Sequence, residues 1–235
     1  MQLFFAENIE SDYYTLPEEE SKHCVRVLRK NVGDYINLTD GLGTMAKACI
    51  VEAHPKRCQV QIQERIPSYG RRPYILHLAV APTKNTARME WLIEKAVEIG
   101  VDQITFLTCD HSERVSVNID RLYKIVISAM KQSLKAYKPT LRTMTFGELM
   151  DESQSFQGHK LIAHCDGDSR IPIQQVLQPC HHTMILIGPE GDFSTHEVQQ
   201  ALSLGFQAVT LGESRLRTET AALFSVVAAN LYCYN

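Results

Sequence analysis

Residues 185–197 read ILIGPEGDFSTHE. An apolar run from Met184 to Ile187 stops at Gly188-Pro189-Glu190-Gly191, and a helical pattern starts near Thr195. The run has strand length and no polar alternation, as in a strand covered on both faces. The loop after it has two readings. One is a plain turn. The other is a ligand lying against bare backbone, since glycine has no side chain to hold one away.

A second loop of the same kind lies downstream. Leu211-Gly212-Glu213-Ser214-Arg215-Leu216-Arg217-Thr218-Glu219-Thr220 leads from a strand at 208–211 into a long apolar helix at 219–232. Upstream the rhythm repeats. Strands are expected at 74–80, 101–107, 160–165 and 183–188. Helices are expected at 85–99, stopped by Gly100, at 120–138, stopped by Pro139, and at 195–204, stopped by Gly205. The helix at 120–138 puts Leu122, Val126, Ala129 and Ser133 on one face. Strands alternating with helices predict an α/β domain with a parallel sheet covered on both faces. In such sheets ligands bind outside the carboxyl ends of the strands, where both loops fall.

The first 70 residues differ. Gly33-Asp34, Asp40-Gly41 and Gly43 punctuate short runs, and residues 35–39 and 58–63 partly alternate, as half-buried strands do. Residues 1–70 therefore read as a small β-barrel or sandwich made of strands and turns. Residues 68–73 read as a linker, and 73–235 as the α/β domain.

Composition sets the outer limits. The chain has 235 residues, 44% of them apolar and 22% charged, which suits a packed core rather than disorder. No apolar stretch approaches the roughly 18 residues that span a bilayer, and the start of the chain lacks the pattern of a signal peptide. The expected location is the cytoplasm. The seven cysteines form no C-x-x-C pair, which argues against a disulfide framework or a zinc knuckle. His164-Cys165-Asp166 and Cys109-Asp110-His111 look like catalytic clusters, but neighbours on a strand face opposite ways. His181-His182 has no further ligand at useful spacing, so no metal is expected. Net charge is −3, yet residues 21–72 carry ten Lys/Arg against four acids. Screening limits the reach of distant charge to about 10 Å, so such a segment can still meet phosphate.

The loops narrow the ligand. Neither the G-x-x-x-x-G-K-[ST] of a phosphate loop nor the G-x-G-x-x-G of a dinucleotide fold occurs. Glu190 and Glu213 would repel phosphate and suit a cationic or neutral ligand. Thr218 is a plausible N-cap and Glu219 suits the first turn of a helix, so capping alone could account for both.

GPEGDFS followed by LGESRLRTETAA resembles the carboxyl-terminal signature of the small-subunit ribosomal RNA uridine N3-methyltransferases, which are knotted SPOUT methyltransferases. His23-x3-Val27-Leu28-Arg29 with Gly33-Asp34 and Asp40-Gly41 resembles that family's PUA-like domain. Lys84-x3-Arg88-Met89-Glu90-x4-Lys95-Ala96-x-Glu98-x-Gly100-Val101 resembles the first helix of its catalytic domain. The resemblance thus covers nearly the whole chain. It departs at Asp192, where the family usually has glycine, and at Lys131-Gln132-Ser133-Leu134-Lys135, where it commonly has a Glu-Gln-Ser-x-Arg-like stretch.

The resemblance implies a trefoil knot at the carboxyl end, a homodimer, and S-adenosylmethionine held by Leu186, Ile187, Gly188, Pro189, Glu190, Gly191, Leu211, Gly212, Ser214, Leu216, Arg217, Thr218 and Ala221. It implies methylation of N3 of a uridine in 16S ribosomal RNA of the small subunit. Arg217 would face the developing negative charge, while Glu219 and Glu190 compete as proton acceptor. Arg26, Arg29, Lys30, Lys84 and Arg88 are candidates for RNA contact, with Arg71 and Arg72 beside them. Trp91 is expected in the core or at a dimer interface. Two other readings stand against this one: a knotted methyltransferase acting on another RNA atom, and a non-catalytic ribosome-assembly factor that binds RNA.

Overall fold

The structure is a computed structural model and describes residues 2–165, 170–179 and 181–233. Asp166, named above, and Cys180, one of the seven cysteines, lie outside the described residues. The chain forms two compact units, residues 1–71 with 127–138, and residues 72–126 with 139–235.

The first unit holds β1 (Leu3–Phe5), β2 (Tyr13–Thr15), α1 (Glu18–Lys22), β3 (Tyr35–Thr39), β4 (Met45–Glu52) and β5 (Gln59–Ile66). They make one curled sheet of order β1-β3-β4-β5-β2, antiparallel except where β1 joins β3. Alternation places Ile36 and Leu38 of β3, Ala48 and Ile50 of β4, and Val60 and Ile62 of β5 in a core with Phe4, Leu16 and Cys24. The expectation of strands and turns alone missed α1 and the π-type turn His23–Val27, closed by Leu28 N–H to His23 carbonyl, 2.9 Å. Three consecutive glutamates, Glu18 to Glu20, fill the first turn of α1, where negative charge suits the helix dipole.

The second unit holds β6 (Leu76–Val80), α2 (Thr86–Ile99), β7 (Gln103–Thr108), most of α3 (Ile119–Gln132), β8 (Thr140–Thr145), α4 (Phe146–Ser153), β9 (His159–Ala163), β10 (Ile171–Pro172), α5 (Ile173–Val176), β11 (Thr183–Ile187), α6 (Thr195–Ser203), β12 (Gln207–Thr210) and α7 (Thr218–Cys233). The seven strands are all parallel, in the order β10-β12-β9-β11-β6-β7-β8. β6 and β11 are buried at every residue, as strands covered on both faces must be. Leu107, Phe146, Met150, Leu186, Phe193 and Phe206 share one core cluster. α7 packs against α2, β6 and β11.

Sequence and structure differ along α3. The helix ends at Gln132 rather than at 138. Leu134 turns the chain at φ 57°, and residues 136–138 run back along the loop after β3. Gly43 N–H donates to Ala136 carbonyl, 2.9 Å, and Lys138 N–H to Gly41 carbonyl, 2.8 Å. Lys131, one of the departures from the family pattern, forms an ion pair with Glu20 of α1. The element β8–α4 was not expected at all, although Thr145 and Glu148 form a capping box at the start of α4. Arg72, a candidate for RNA contact, is committed elsewhere. It bonds Asp102, Gly100 carbonyl and Asn230 Oδ1 and so ties the start of the unit to α7.

Candidate functional site

β9, β11 and β12 are adjacent and parallel, so their carboxyl ends open on one side. A cavity of about 770 Å³ lies there. Small-molecule sites span roughly 300–1,000 Å³. The loop after β11 forms one wall, through Ile187, Gly188, Pro189, Glu190, Gly191 and Asp192. The end of β12 and the loop after it form the other, from Val209 through Glu219, with Ala221. Ala163, His164 and Cys165 at the end of β9, Arg170 just before β10, and Arg88 of α2 complete it.

Twelve of the thirteen residues that the resemblance assigns to cofactor binding therefore meet around one cavity. Leu186 does not. Its side chain is fully buried in the core cluster on one face of the sheet, because neighbouring strand residues face opposite ways. Arg217, Glu219 and Glu190 all line the cavity. Of the residues named for RNA contact, Arg88 lines it and Lys84 does not. Arg26, Arg29 and Lys30 belong to the first unit. Among the described residues no acid pairs with those three. Lys84 pairs with Glu113, and Arg88 pairs with Glu219, 3.4 Å.

The glycine question has a partly structural answer. A Cβ on Gly188 would sit 3.1 Å from the Phe193 ring and 3.2 Å from Phe193 N, and one on Gly191 would sit 3.2 Å from His111 Cβ. Both glycines thus let the loop fold onto its own neighbours as well as face the cavity. Gly212 is different. Its Cβ would meet nothing within 4 Å, and its φ of 127° is what demands glycine.

The first loop is built from several parts. Ser194 caps α6 in a capping box with Glu197. Asp192 has φ 63°, and its carboxylate accepts from Cys165 N, 2.7 Å, and Phe193 N, 2.8 Å. The second loop is tied down at its end. Thr218 Oγ1 donates to Gly188 carbonyl, 3.2 Å, and so joins the start of α7 to the first loop. The expected N-cap is thus inside the helix and serves the cavity wall instead. Glu219 is 7% exposed, and the guanidinium of Arg88 is the charge beside it. Arg215 and Arg217 are exposed. Glu190 is exposed, with Oε1 accepting from Lys84 N, 3.2 Å.

Cys165 lines the cavity, but burial and the nearby Asp192 carboxylate raise its pKa, so it stays a thiol at neutral pH and is a poor nucleophile. Cys109 is likewise pushed up by burial. Trp91 is 45% exposed, which excludes the core. Sequence reasoning missed Asp192, Cys165, Arg170 and His111 as parts of the site. The advance signals were the departure from glycine at Asp192 and the two cysteine clusters, which hold Cys165 and His111 and were set aside because strand neighbours face opposite ways.

The site's chemistry is mixed. Acids (Glu190, Asp192, Glu213, Glu219) alternate with arginines (Arg88, Arg170, Arg215, Arg217), and much of the wall is backbone. Such a lining fits a zwitterionic, partly aromatic molecule better than a triphosphate. Among the described residues no three His, Cys, Asp or Glu side chains gather as a metal site, and no helix is long and apolar enough to cross a membrane.

The chain is similar to known proteins over most of its length. A family model described as an RNA methyltransferase domain matches residues 71–230, and one described as an RNA methyltransferase PUA domain matches residues 16–63. A ribosomal RNA small subunit methyltransferase E from Mesomycoplasma hyopneumoniae is 31% identical over 95% of this chain and 96% of its own. Its namesake from Buchnera aphidicola is 28% identical over 93% of this chain and 87% of its own. A probable rRNA-methyltransferase from Porphyromonas gingivalis superposes with TM-score 0.90 at 43% identity, covering 96% of this chain and 95% of that one. The ribosomal RNA small subunit methyltransferase E of Neisseria gonorrhoeae, solved bound to S-adenosyl methionine, superposes with TM-score 0.86 at 29% identity, covering 99% and 98%.

Proposed function

The chain belongs to the RNA methyltransferase family that includes ribosomal RNA small subunit methyltransferase E, and from that premise we propose that it methylates N3 of a uridine in small-subunit ribosomal RNA, using S-adenosylmethionine. The observation that carries the reading is the cavity at the ends of β9, β11 and β12, where both glycine loops meet with Arg217 and Glu219.

The residues present fit the cofactor. Backbone of residues 187–191 and 211–216 offers donors and acceptors to an adenosine, and the carboxylates of Glu190, Asp192, Glu213 and Glu219 suit a positive sulfonium. When bound, the cofactor supplies an electrophilic methyl group. The chain then positions the two reactants, which is where most of the rate gain of a displacement arises. Arg217 is exposed into the cavity, and no acid pairs with it among the described residues, so its guanidinium is available to a uracil carbonyl oxygen as negative charge grows there. Glu190 is better placed than Glu219 to take the N3 proton. Glu219 is buried and engaged by Arg88, whereas Glu190 is exposed at the cavity wall. Glu219 then serves to hold Arg88 and the start of α7.

N3 lies on the Watson–Crick edge of uracil, so the base must be unpaired or flipped out. Arg26, Arg29 and Lys30 are the cations of the first unit that we assign to the RNA backbone, because no acid among the described residues neutralises them. The half-exposed Trp91 of α2 and Phe224 of α7 support a homodimer. The strand order β12-β9-β11-β6, with α7 returning to β6, supports a trefoil knot. We place the protein in the cytoplasm, with its substrate.

The test uses purified protein, S-adenosylmethionine with a labelled methyl group, and unmodified small ribosomal subunits. Mass spectrometry of the digested RNA should find the label in N3-methyluridine. Label in another nucleoside would discard the acceptor atom. No label and no cofactor binding would favour the assembly-factor reading.

A further inference from the structure

We propose that His111, in the loop after β7, is a positioning residue for the cofactor, acting through the loop after β11, and that Asp192 completes the device from within that loop. The inference rests on the S-adenosylmethionine reading of the cavity. His111 does not line the cavity, so anything it does there it does through residues that do.

His111 Nδ1 lies 3.1 Å from Gly191 carbonyl and 3.1 Å from Asp192 carbonyl. Carbonyl oxygens only accept, so Nδ1 carries the hydrogen and donates to both. Gly191 and Asp192 both line the cavity. The imidazole thus grips the outer side of a loop whose inner side faces the ligand. The grip is close, since a Cβ on Gly191 would lie 3.2 Å from His111 Cβ.

The same turn meets the loop at two further points. Asp110 N–H donates to Glu197 Oε1, 2.9 Å, and Ser194 Oγ donates to Asp110 Oδ2, 2.6 Å. Glu197 is 3% exposed and also accepts from Ser194 N, 2.8 Å, so the contact is anchored in the capping box of α6.

Asp192 supplies the other side. Its φ of 63° is unfavourable for a residue with a Cβ, by about 1 kcal/mol or more. Four hydrogen bonds hold it there. Oδ2 accepts from Cys165 N, Oδ1 accepts from Phe193 N, its carbonyl accepts from His111, and its N–H donates to Pro189 carbonyl, 3.0 Å. The exits of β7, β9 and β11 are thereby joined through one loop. A loop pre-set in this way spends less of its binding free energy on ordering, and loosening it lowers the fraction of molecules ready to bind.

The experiment measures cofactor affinity by calorimetry and steady-state methyl transfer for the whole protein and three variants. His111→Ala should weaken S-adenosylmethionine binding about tenfold, the scale of losing one or two hydrogen bonds, and raise KM in step. Its kcat at saturating cofactor should stay within about twofold of wild type, because no transition-state contact is lost. His111→Asn should restore most of the affinity, because the asparagine Nδ2 occupies the place of Nδ1 and donates alike. Asp192→Gly relieves the backbone strain but removes the carboxylate, and should resemble His111→Ala. A melting curve for each variant separates this from unfolding. His111→Ala binding as wild type would overturn the inference. So would a loss that His111→Asn fails to restore. If the wild-type protein binds no S-adenosylmethionine, the reading of the cavity fails, and this inference fails with it.

Discussion

The loop after β11 is held along its length, while among the described residues the hydrogen bonds of the loop after β12 fall near its two ends. In the first, the carbonyls of Gly191 and Asp192, the carboxylate of Asp192, the amide of Asp192 and both parts of the Ser194–Glu197 box have partners outside or across the loop. In the second, Gly212 folds back on Thr210 Oγ1, 3.0 and 3.3 Å, and Thr218 fastens the far end. Glu213, Ser214, Arg215 and Arg217 are exposed. Among the described residues one wall of the cavity is densely hydrogen-bonded and the other sparsely so. That division suits a site taking two reactants: both loops offer backbone to the small cofactor, and the second also carries exposed arginines toward a large RNA.

The largest expected effect tests this division at Arg217. If Arg217 serves the RNA base rather than the cofactor, Arg217→Ala should lower kcat by about 10²–10³-fold, the scale of losing one donor to a developing oxyanion. Cofactor affinity should change by less than about threefold. A variant that turns over as wild type would remove Arg217 from the mechanism, and one that loses cofactor affinity equally would erase the contrast between the loops.

A second test asks whether activity and stability separate with pH. His77 sits near the amino end of β6, away from both loops, 1% exposed, with Nε2 2.8 Å from Thr105 Oγ1. Burial, with the Arg142 guanidinium adding to it, lowers its pKa from 6.5 to about 4. The folded protein therefore stays neutral at His77 where the unfolded chain takes up a proton. Its contribution is present above pH 6.5 and is lost as pH falls from 6.5 toward about 4. The full loss is on the order of 3 kcal/mol. Denaturant melts at pH 7 and pH 4.5 should show it, and His77→Gln should flatten that slope. An unchanged slope in the variant would assign the acid loss to other groups.

What the sequence made legible follows the range of the interactions. The two loops could be read because glycine and proline act locally, and the parallel sheet because β6 and β11 are apolar throughout. The end of α3 could not. Leu134 takes a positive φ without being glycine, and what pulls residues 136–138 away is pairing with residues 41–43, nearly a hundred positions earlier. Lys131 is intelligible only once Glu20 is beside it. The pairing of Arg88 with Glu219 is likewise long-range, and it is what distinguishes the two carboxylates. By contrast, the Thr145–Glu148 capping box is a local signal that marked α4 in advance and went unused.

The smallest effects come from the glycines, and they sharpen the comparison most directly. Gly188→Ala places a methyl group 3.1–3.2 Å from both the ring and the backbone nitrogen of Phe193. The ring can tilt, but the nitrogen belongs to the loop whose contacts run on through Asp192 to Cys165, so the whole wall must shift. A stability loss of about 1–3 kcal/mol, the usual cost of overpacking, should accompany weaker cofactor binding. Gly212→Ala meets nothing within 4 Å, and its cost is confined to the φ of 127°. The second loop can relax that strain into solvent, so stability should fall by about 1 kcal/mol or less, with cofactor affinity changed less than in Gly188→Ala. Equal losses of affinity would mean that the second loop is held as firmly as the first, despite its sparser hydrogen bonds.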